Sequence, residues 1–217
     1  YAGAGGGAIS NSLSTAGTIG SIQKIIGNFT NNHAENKTGS SGATGGAIEN
    51  RNGAKIIDGI VGNFTGNYAK TTGNWANGGA IFNRHTNSSI GNIIGNFTDN
   101  YVQSGTGYAY GGAICNIQSA IGDITGNFKN NYAKVTGTNA YGGAIRNTDS
   151  AKIGNIKGDF IGNYAESTGS GCAYGGAIAN PAGTIGDITG NFIGNYSKST
   201  GTYVMGAAIF NHSSGKI

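Results

Sequence analysis

A short motif that returns at nearly constant spacing is the feature that most limits what this chain can fold into. The tetrapeptide Gly-Gly-Ala-Ile occurs six times, and a seventh, altered copy reads Gly-Ala-Ala-Ile. Two positions after each of these isoleucines stands an asparagine. Such self-similarity predicts a repeat architecture, in which each unit packs on its neighbours. The copies begin at Gly6, Gly45, Gly78, Gly111, Gly142, Gly175 and Gly206.

A second motif lies between successive copies of the first. Its clearest form is Ile-Gly-Asp-Ile-Thr-Gly-Asn-Phe, which ends at Phe128. An asparagine follows each phenylalanine three positions later, then comes Tyr-Ala or a close variant, and a segment rich in Thr, Ser and Gly leads to the next Gly-Gly. The phenylalanines are Phe29, Phe64, Phe97, Phe128, Phe160 and Phe192.

The alternation of apolar and polar residues assigns a face to each position. Because side chains alternate across a strand, Ile124 and Phe128 point to the same side, which we take as the interior. The isoleucine of Gly-Gly-Ala-Ile is also inward, and the variable residue after it is expected on an outer face. One repeat therefore gives two or three short strands with one apolar side, which only stacking on neighbouring repeats can bury.

These patterns predict an all-β protein, a parallel β-helix solenoid of about 33 residues per repeat that forms a single domain over residues 1–217. A right-handed coil is preferred. Composition supports this prediction, because 43 glycines and one proline disfavour both a helical bundle and collagen. Two short coils per repeat are conceivable, but we favour one long coil whose Thr/Ser/Gly segment protrudes as a loop.

The alternating Gly-Gly-Ala-Ile and Phe-x-x-Asn motifs resemble the repeats of the chlamydial polymorphic outer-membrane proteins. Similar repeats occur in the passengers of bacterial autotransporters and in secreted β-helix proteins. The resemblance covers essentially the whole chain, with seven copies of the first motif and six of the second. It implies a β-helix at the bacterial cell surface or outside the cell, often an adhesin.

Charge and hydropathy argue against two classes of partner. The chain carries 13 Lys+Arg and 9 Asp+Glu, a net charge of +4, and the cations are not clustered on any one segment. We therefore expect no nucleic-acid partner. No apolar run is long enough for a membrane-spanning helix, so we expect no membrane insertion of this segment. The glycine-rich start of the chain has neither the strand before it nor the helix after it that a dinucleotide site needs, and we predict no cofactor.

Few residues suggest catalysis. Asp123 and Asp187 occupy one repeat position, as paired carboxylates of a polysaccharide-processing β-helix enzyme could, but parity places them on an outer face without companions. The histidines His33, His85 and His212 lie in well-separated repeats. We predict a non-enzymatic protein with no catalytic, cofactor-binding or metal-binding residues, and keep the polysaccharide-processing enzyme as the alternative. Ice binding would require a ladder of Thr-x-Thr motifs, whereas these repeats contain only a partial column of single threonines.

The segments before each Gly-Gly are the best candidates for a binding surface. They carry tryptophan and tyrosine among Thr and Gly, and exposed aromatic rings can pack on sugars or on a partner protein. A glycan or a host surface protein is the expected ligand, although the same rings could instead pack over their own coil. The candidate stripe is Trp75, Tyr108, Tyr110, Tyr141, Tyr174 and Tyr203.

Two further expectations concern assembly and the cysteines. No capping element is visible at either end of the repeat array, so we expect the chain to self-associate end to end and build a filament. The predicted protein is then an extracellular adhesin or stalk, or the subunit of an extracellular filament. Cys115 and Cys172 occupy different repeat positions two coils apart, and we expect two free thiols.

Overall fold

The computed structural model describes residues 3–12, 20–39 and 41–217. Within these ranges the secondary structure consists of short parallel strands, and no helix is assigned. The strands stack into six sheets, numbered here in the order in which the chain passes through them from the first described coil. Among the described residues, no helix could cross a membrane.

Sheets 1 and 2 have seven strands each and flank the Gly-Gly turn. Sheet 1 contains Ala4–Gly5, Ala43–Thr44, Trp75–Asn77, Tyr108–Tyr110, Ala140–Tyr141, Ala173–Tyr174 and Val204–Met205. Sheet 2 contains Ile9–Ser12, Ile48–Arg51, Ile81–Arg84, Ile114–Ile117, Ile145–Thr148, Ile178–Asn180 and Ile209–Asn211.

Sheets 3 to 6 have six strands each and complete the coil. Sheet 3 contains Ser21–Ile22, Lys55–Ile56, Ser89–Ile90, Ala120–Ile121, Lys152–Ile153 and Thr184–Ile185. Sheet 4 contains Ile25–Ile26, Ile60–Val61, Ile93–Ile94, Ile124–Thr125, Ile156–Lys157 and Ile188–Thr189. Sheet 5 contains Phe29–Thr30, Phe64–Thr65, Phe97–Thr98, Phe128–Lys129, Phe160–Ile161 and Phe192–Ile193. Sheet 6 contains His33–Asn36, Tyr68–Thr71, Tyr101–Ser104, Tyr132–Val135, Tyr164–Ser167 and Tyr196–Ser199.

The strand register confirms one coil per repeat. Phe64 pairs with Phe97 and Ile81 with Ile114, so each residue lies beside its counterpart in the next copy of the motif. The expected number of strands was wrong: a coil contains six strands of two to four residues, where two or three were predicted. The chain bends after each of these short strands, so that Ile124 and Phe128 face the same interior from different sheets.

The main core is a column of isoleucine and phenylalanine side chains. Sheets 2, 3 and 4 each contribute one isoleucine per coil and sheet 5 one phenylalanine, joined by the alanine of Gly-Gly-Ala-Ile. The phenylalanine rings stack with centroids 4.7 to 4.9 Å apart and interplanar angles of 1° to 5°. Burial of this apolar surface is the main stabilising contribution of each stacked coil.

Two asparagine ladders run alongside this core. In each ladder the side-chain amide of one coil donates to the side-chain oxygen of the next, at 2.8 to 3.0 Å. Buried amides need such partners, because an unsatisfied polar group in a core costs about 1–3 kcal/mol. The sheet 2 ladder is Asn11, Asn50, Asn83, Asn116, Asn147, Asn180 and Asn211. The ladder after sheet 5 is Asn32, Asn67, Asn100, Asn131, Asn163 and Asn195.

Sheets 6 and 1 pack together as a thin lobe beside the main core. The residues between them are alanines with a few valines, which form a second apolar cluster. The Gly-Gly turn marks the boundary of the two cores. Its first glycine has φ between 58° and 68° in every coil, a region that favours glycine. Its second glycine is in close backbone contact: a Cβ on Gly46 would lie 2.0 Å from the Gly79 carbonyl oxygen and 2.4 Å from that of Tyr68.

Candidate binding groove

The outer faces of sheets 1 and 2 meet at the Gly-Gly turn and form a groove along one side of the solenoid. Tyr110 of sheet 1 packs against a small apolar cluster of sheet 2, formed by Phe82, Cys115 and Ile117. None of these three residues belongs to the main core cluster. The groove therefore lies outside the coil, between two walls that the Gly-Gly turn holds at an angle.

Five of the six predicted stripe residues lie on the sheet 1 wall. Trp75, Tyr108, Tyr110, Tyr141 and Tyr174 are within strands, so the prediction of a protruding loop was wrong for them. The loop prediction failed because alternating alanines let this segment pack against sheet 6 as a strand.

The structure brings three of the predicted tyrosines together as one row. Tyr141 stacks on Tyr174 at 4.6 Å, and Tyr110 meets Tyr141 edge-on at 5.6 Å and 60°. Tyr108 stacks on Tyr110 at 5.4 Å, and Trp75 is the register partner of Tyr108 on the adjacent strand. These rings form the aromatic wall of the groove.

Tyr203 stands apart from the row. It lies immediately before the strand Val204–Met205 and is 55% exposed. Phe210, which the stripe did not include, lies beside the end of the row and has its ring 4.8 Å from that of Tyr174. The aromatic wall therefore passes from sheet 1 to sheet 2 in the last coil.

The floor of the groove is the variable position after the isoleucine of Gly-Gly-Ala-Ile. This position points away from the main core, as predicted, but in several coils it is buried rather than exposed: Glu49 and Phe82 are 2% exposed and Cys115 is inaccessible. The sheet 1 wall covers it. Sequence parity could give the direction of these side chains but not the angle between two sheets.

Three arginines approach the groove from sheet 2. Arg51 and Arg84 are register partners on adjacent strands, and Arg146 occupies the floor position two coils further on. The Arg146 guanidinium carbon lies 3.8 Å from the centre of the Tyr110 ring, which is a cation–π contact. The expectation that cations are not clustered holds along the sequence, but coil stacking gathers these three on one face.

The arginines have few partners within the described part of the chain. Arg51 Nε lies 3.4 Å from Glu49 Oε2, an ion pair that lacks hydrogen-bond geometry. The Nε atoms of Arg84 and Arg146 are buried and also lack a hydrogen-bond acceptor among the described residues. Buried donors are normally satisfied, so these two nitrogens are exceptions. The side chains of Arg84 and Arg146 as a whole are half-buried, and they are the main charged groups of the groove that a ligand could reach.

Two adjoining cavities occupy the groove. The first has a volume of about 290 Å³ and is lined by Glu49, Arg51 and His85, among others. The second has a volume of about 380 Å³ and includes Tyr110 and Asp149 in its lining. Trp75 and Arg84 line both cavities, so the two adjoin and together form a depression that spans several coils.

The groove environment shifts several pKa values. Burial lowers the pKa of His85, and the charges of Arg84 and Arg51 lower it further. Burial raises the pKa of the Cys115 thiol to about 11, although Arg146 acts in the opposite direction. Burial also raises the pKa of the Tyr110 hydroxyl. At neutral pH these environments favour an uncharged histidine and thiol beside permanently charged arginines.

A second row of aromatic rings runs along the outer face of sheet 6, on the other side of the thin lobe. Its centroids are 4.8 to 4.9 Å apart and its interplanar angles are 2° to 9°. We call it the tyrosine ladder, and it consists of His33, Tyr68, Tyr101, Tyr132, Tyr164 and Tyr196. His33 is thus placed in a stack of rings, apart from the groove and from His85.

The carboxylates considered as a catalytic pair lie elsewhere on the surface. Asp123 Oδ1 accepts a hydrogen bond from the backbone N–H of Asn155 at 2.7 Å, and Asn155 in turn accepts from Asp187 N–H at 3.0 Å. Each side chain in this column joins one coil to the next. Within the described ranges, no group of three or more His, Cys, Asp or Glu residues could hold a metal ion. Cys115 and Cys172 are free thiols, as expected.

No protein-family model, curated protein or solved structure matches this chain. The groove is therefore interpreted from its own residues.

Proposed function

We propose that this chain is a non-enzymatic extracellular repeat protein of bacterial origin whose groove is an adhesive surface. The observation that carries the proposal is the contrast between the groove and the rest of the coil. In the core and the asparagine ladders, equivalent positions hold the same residue type in coil after coil and contact each other, whereas varied outward positions such as Ile94, Thr125 and Lys157 of sheet 4 are exposed. In the groove, equivalent positions differ, as Glu49, Phe82, Cys115 and Arg146 do, and polar donors there remain unpaired.

The groove also has the composition of a binding site. Ligand sites are concave and largely apolar, with a few convergent polar groups that fix orientation. Here the aromatic wall supplies the apolar area, and the arginines, His85 and Glu49 supply the polar groups. A glycan or a surface protein of another cell fits this chemistry, and the resemblance of the repeats to those of surface proteins points the same way.

The proposal is tested by binding measurements on the purified chain with one groove variant and one matched control. The chain is applied to a glycan array and to fixed host cells. Tyr108→Ala removes an exposed ring of the aromatic wall that lines the second cavity, and Tyr164→Ala removes a half-buried ring of the tyrosine ladder. Loss of binding in the first variant alone supports the proposal. Equal binding by both variants and the parent chain contradicts it.

A polysaccharide-processing enzyme is the second candidate, because one carboxylate of the groove is deeply buried. Glu49 accepts hydrogen bonds from Thr44 Oγ1 at 2.6 Å and from Ser10 Oγ at 3.2 Å, beside Arg51. These contacts suit a structural carboxylate, and we expect no new reducing ends or unsaturated products when the chain is incubated with polysaccharides. Product formation that Glu49→Gln abolishes would favour the enzyme.

End-to-end self-association stays a prediction. The final coil exposes apolar side chains that are covered in the coil before it: Val204 is 49% exposed, whereas its register partner Ala173 is buried. Sedimentation velocity over a range of concentrations measures association directly. A chain that stays monomeric at high concentration would contradict the filament form of the proposal but not the adhesive one.

A further inference from the structure

We propose that the groove binds acidic oligosaccharides, with Arg84 and Arg146 holding the acid groups and the aromatic wall holding the sugar rings. This inference rests on the proposed adhesive function and adds the chemical class of its ligand. The shared chemistry is a sugar ring that carries a carboxylate or a sulfate.

The first argument is the unpaired charge of the arginines. Arg51 and Arg84 lie opposite each other on adjacent strands, about 4.8 Å apart along the solenoid, where like charges repel. Arg51 has Glu49 as its counter-charge, whereas Arg84 has no ion pair among the described residues. An anion bound between them would relieve this repulsion. A planar guanidinium binds a carboxylate or sulfate through two parallel hydrogen bonds, which makes such a contact both strong and directional.

The second argument is the buried Nε atoms. The Nε atoms of Arg84 and Arg146 are inaccessible to solvent and have no acceptor within the described ranges. Arg146 is held in place by its stack on Tyr110, with the guanidinium 3.8 Å above the ring centre. The Nε atoms themselves are covered, so a ligand meets the open part of each half-buried arginine side chain. A charged group that is held in position in advance loses little conformational freedom on binding, so it contributes more to affinity.

The third argument is that aromatic and charged walls face one groove. A sugar ring has an apolar face of C–H groups, which packs on an aromatic ring, and a polar edge, which forms hydrogen bonds. The second cavity is lined by Trp75, Tyr108 and Tyr110 from sheet 1 and by Arg84 and Arg146 from sheet 2. Since the depression crosses several coils, it suits an extended chain of sugars better than a single small molecule.

The carboxylates of the groove favour an acidic sugar over a nucleic acid. Glu49 and Asp149 line the same cavities as the arginines. They would repel a phosphate backbone, whose charges follow one another at every nucleotide. The isolated acid groups of a glycan can avoid them, and the hydroxyl groups between can donate hydrogen bonds to them.

The test is calorimetric titration of the full chain with defined oligosaccharides of equal length. The probes are a galacturonic acid hexamer, a sulfated heparin-derived hexasaccharide and neutral maltohexaose, with a single-stranded oligonucleotide as a polyanion. We expect one or both acidic sugars to bind at least tenfold more tightly than the neutral one. Arg84→Gln and Arg146→Gln should each weaken that binding by about tenfold or more, because each removes a charge-assisted contact.

Lys157→Gln is the matched control, because it removes one positive charge from an exposed position of sheet 4, away from the groove. It should leave binding unchanged. Three results would overturn the inference: equal affinity for acidic and neutral sugars, an equal loss in the Lys157 variant, or binding of the oligonucleotide as tight as that of the acidic sugars. Circular dichroism of each variant establishes that it has folded.

The failure of this inference and that of the proposed function are distinguishable. If Tyr108→Ala abolishes binding to cells or neutral glycans while both arginine variants bind normally, the groove is adhesive but does not select acids. If neither tyrosine nor arginine variants change any binding, both proposals fail.

Discussion

Two rows of aromatic rings, both rich in tyrosine, lie on opposite sides of one thin lobe. They differ in how regularly their rings stack and in the groups that surround them. In the tyrosine ladder each ring is parallel to the next at 4.8 to 4.9 Å. In the groove the interplanar angles range from 22° to 60°, the row of Tyr110, Tyr141 and Tyr174 ends at Asn77, and a guanidinium lies over one ring. In the ladder each ring has another ring of the row as its neighbour, whereas the groove contains cavities and hydrogen-bond donors without acceptors among the described residues.

The difference shows how a repeat protein can divide its work between conserved and varied positions within one coil. A side chain that meets an identical copy of itself above and below contributes to coil stacking. A side chain that meets a different residue in each coil contributes less to stacking and can differ freely in chemistry. The predictions that follow test whether stability resides in the first class and binding in the second.

The largest expected effect is that of Phe128→Ala in the phenylalanine row of the core. Phe128 is fully buried between the rings of Phe97 and Phe160, and its removal should lower the free energy of unfolding by about 3–5 kcal/mol. Urea unfolding followed by circular dichroism measures the loss. Phe82→Ala, on the floor of the groove, should cost less because the adjoining cavity already admits solvent. Equal losses would show that the groove floor is as essential to the fold as the core.

Next in size is Asn100→Ala in the ladder after sheet 5. The Asn100 side chain accepts from Asn67 and donates to both the Asn131 side chain and the Phe64 carbonyl, all buried. Leaving these groups unpaired should cost about 2–4 kcal/mol in the same unfolding assay. Asn96→Ala is the matched control, since the exposed Asn96 side chain accepts only one backbone hydrogen bond from Asn127. Its cost should stay below about 1 kcal/mol, and a similar cost for both would contradict the assignment.

A smaller effect on stability is expected from the two rows of rings, and here the comparison is tested directly. Tyr132→Ala breaks the tyrosine ladder at two stacked contacts and should cost about 1–2 kcal/mol. It should not alter ligand binding. Tyr108→Ala should abolish binding with a smaller loss of stability, because Tyr108 is exposed at the second cavity, whereas Tyr132 is half-buried between two parallel rings. The opposite pattern of losses would reverse the roles assigned to the two rows.

The smallest expected effect is a loss of stability in alkali through tyrosine ionisation, and it is absent at neutral pH. Burial raises the pKa values of Tyr101, Tyr132 and Tyr164 to about 12. Below pH 10 both folded and unfolded chains keep these hydroxyls protonated, so they have no effect on stability. Between about pH 10 and 12 only the unfolded chain ionises, and stability falls as pH rises. Ultraviolet absorbance of tyrosinate should therefore show late ionisation in the folded chain, and ionisation near pH 10 in the folded state would contradict the ladder environment.

The sequence was sufficient to predict the solenoid, the length of the coil and the inward positions. The reason is that each repeated Ile, Phe or Asn is buried or hydrogen-bonded by its own counterpart in the next repeat, and only stacking of the repeats provides all these contacts at once. In sheet 6, Lys134 forms an ion pair at 3.0 Å with its register partner Glu166, so opposite charges meet across adjacent coils. The bends that divide a coil into six strands were not predictable from alternation alone.

The groove was only half predictable. The sequence placed Trp75 and the tyrosines in one segment, but the arginines were missed because they are 33 and 62 residues apart along the chain, as 84 − 51 and 146 − 84 show. Aligning equivalent positions of the repeats would have placed Arg51 beside Arg84. It would not have revealed the wall that covers them, since the angle between sheets 1 and 2 depends on the packing of alanines in the thin lobe.

The asparagine ladders give the solenoid a direction. In both ladders the amide nitrogen of each coil points to the oxygen of the following coil, and backbone partners such as the Phe64 carbonyl for Asn100 fix that orientation. A coil can therefore be duplicated, deleted or exchanged in the same orientation and still find an acceptor ahead of it and a donor behind it. In the reverse orientation, the side-chain amide N–H groups of that coil would face the N–H groups of a neighbouring coil. An array of such coils therefore keeps a single polarity and has two unlike ends.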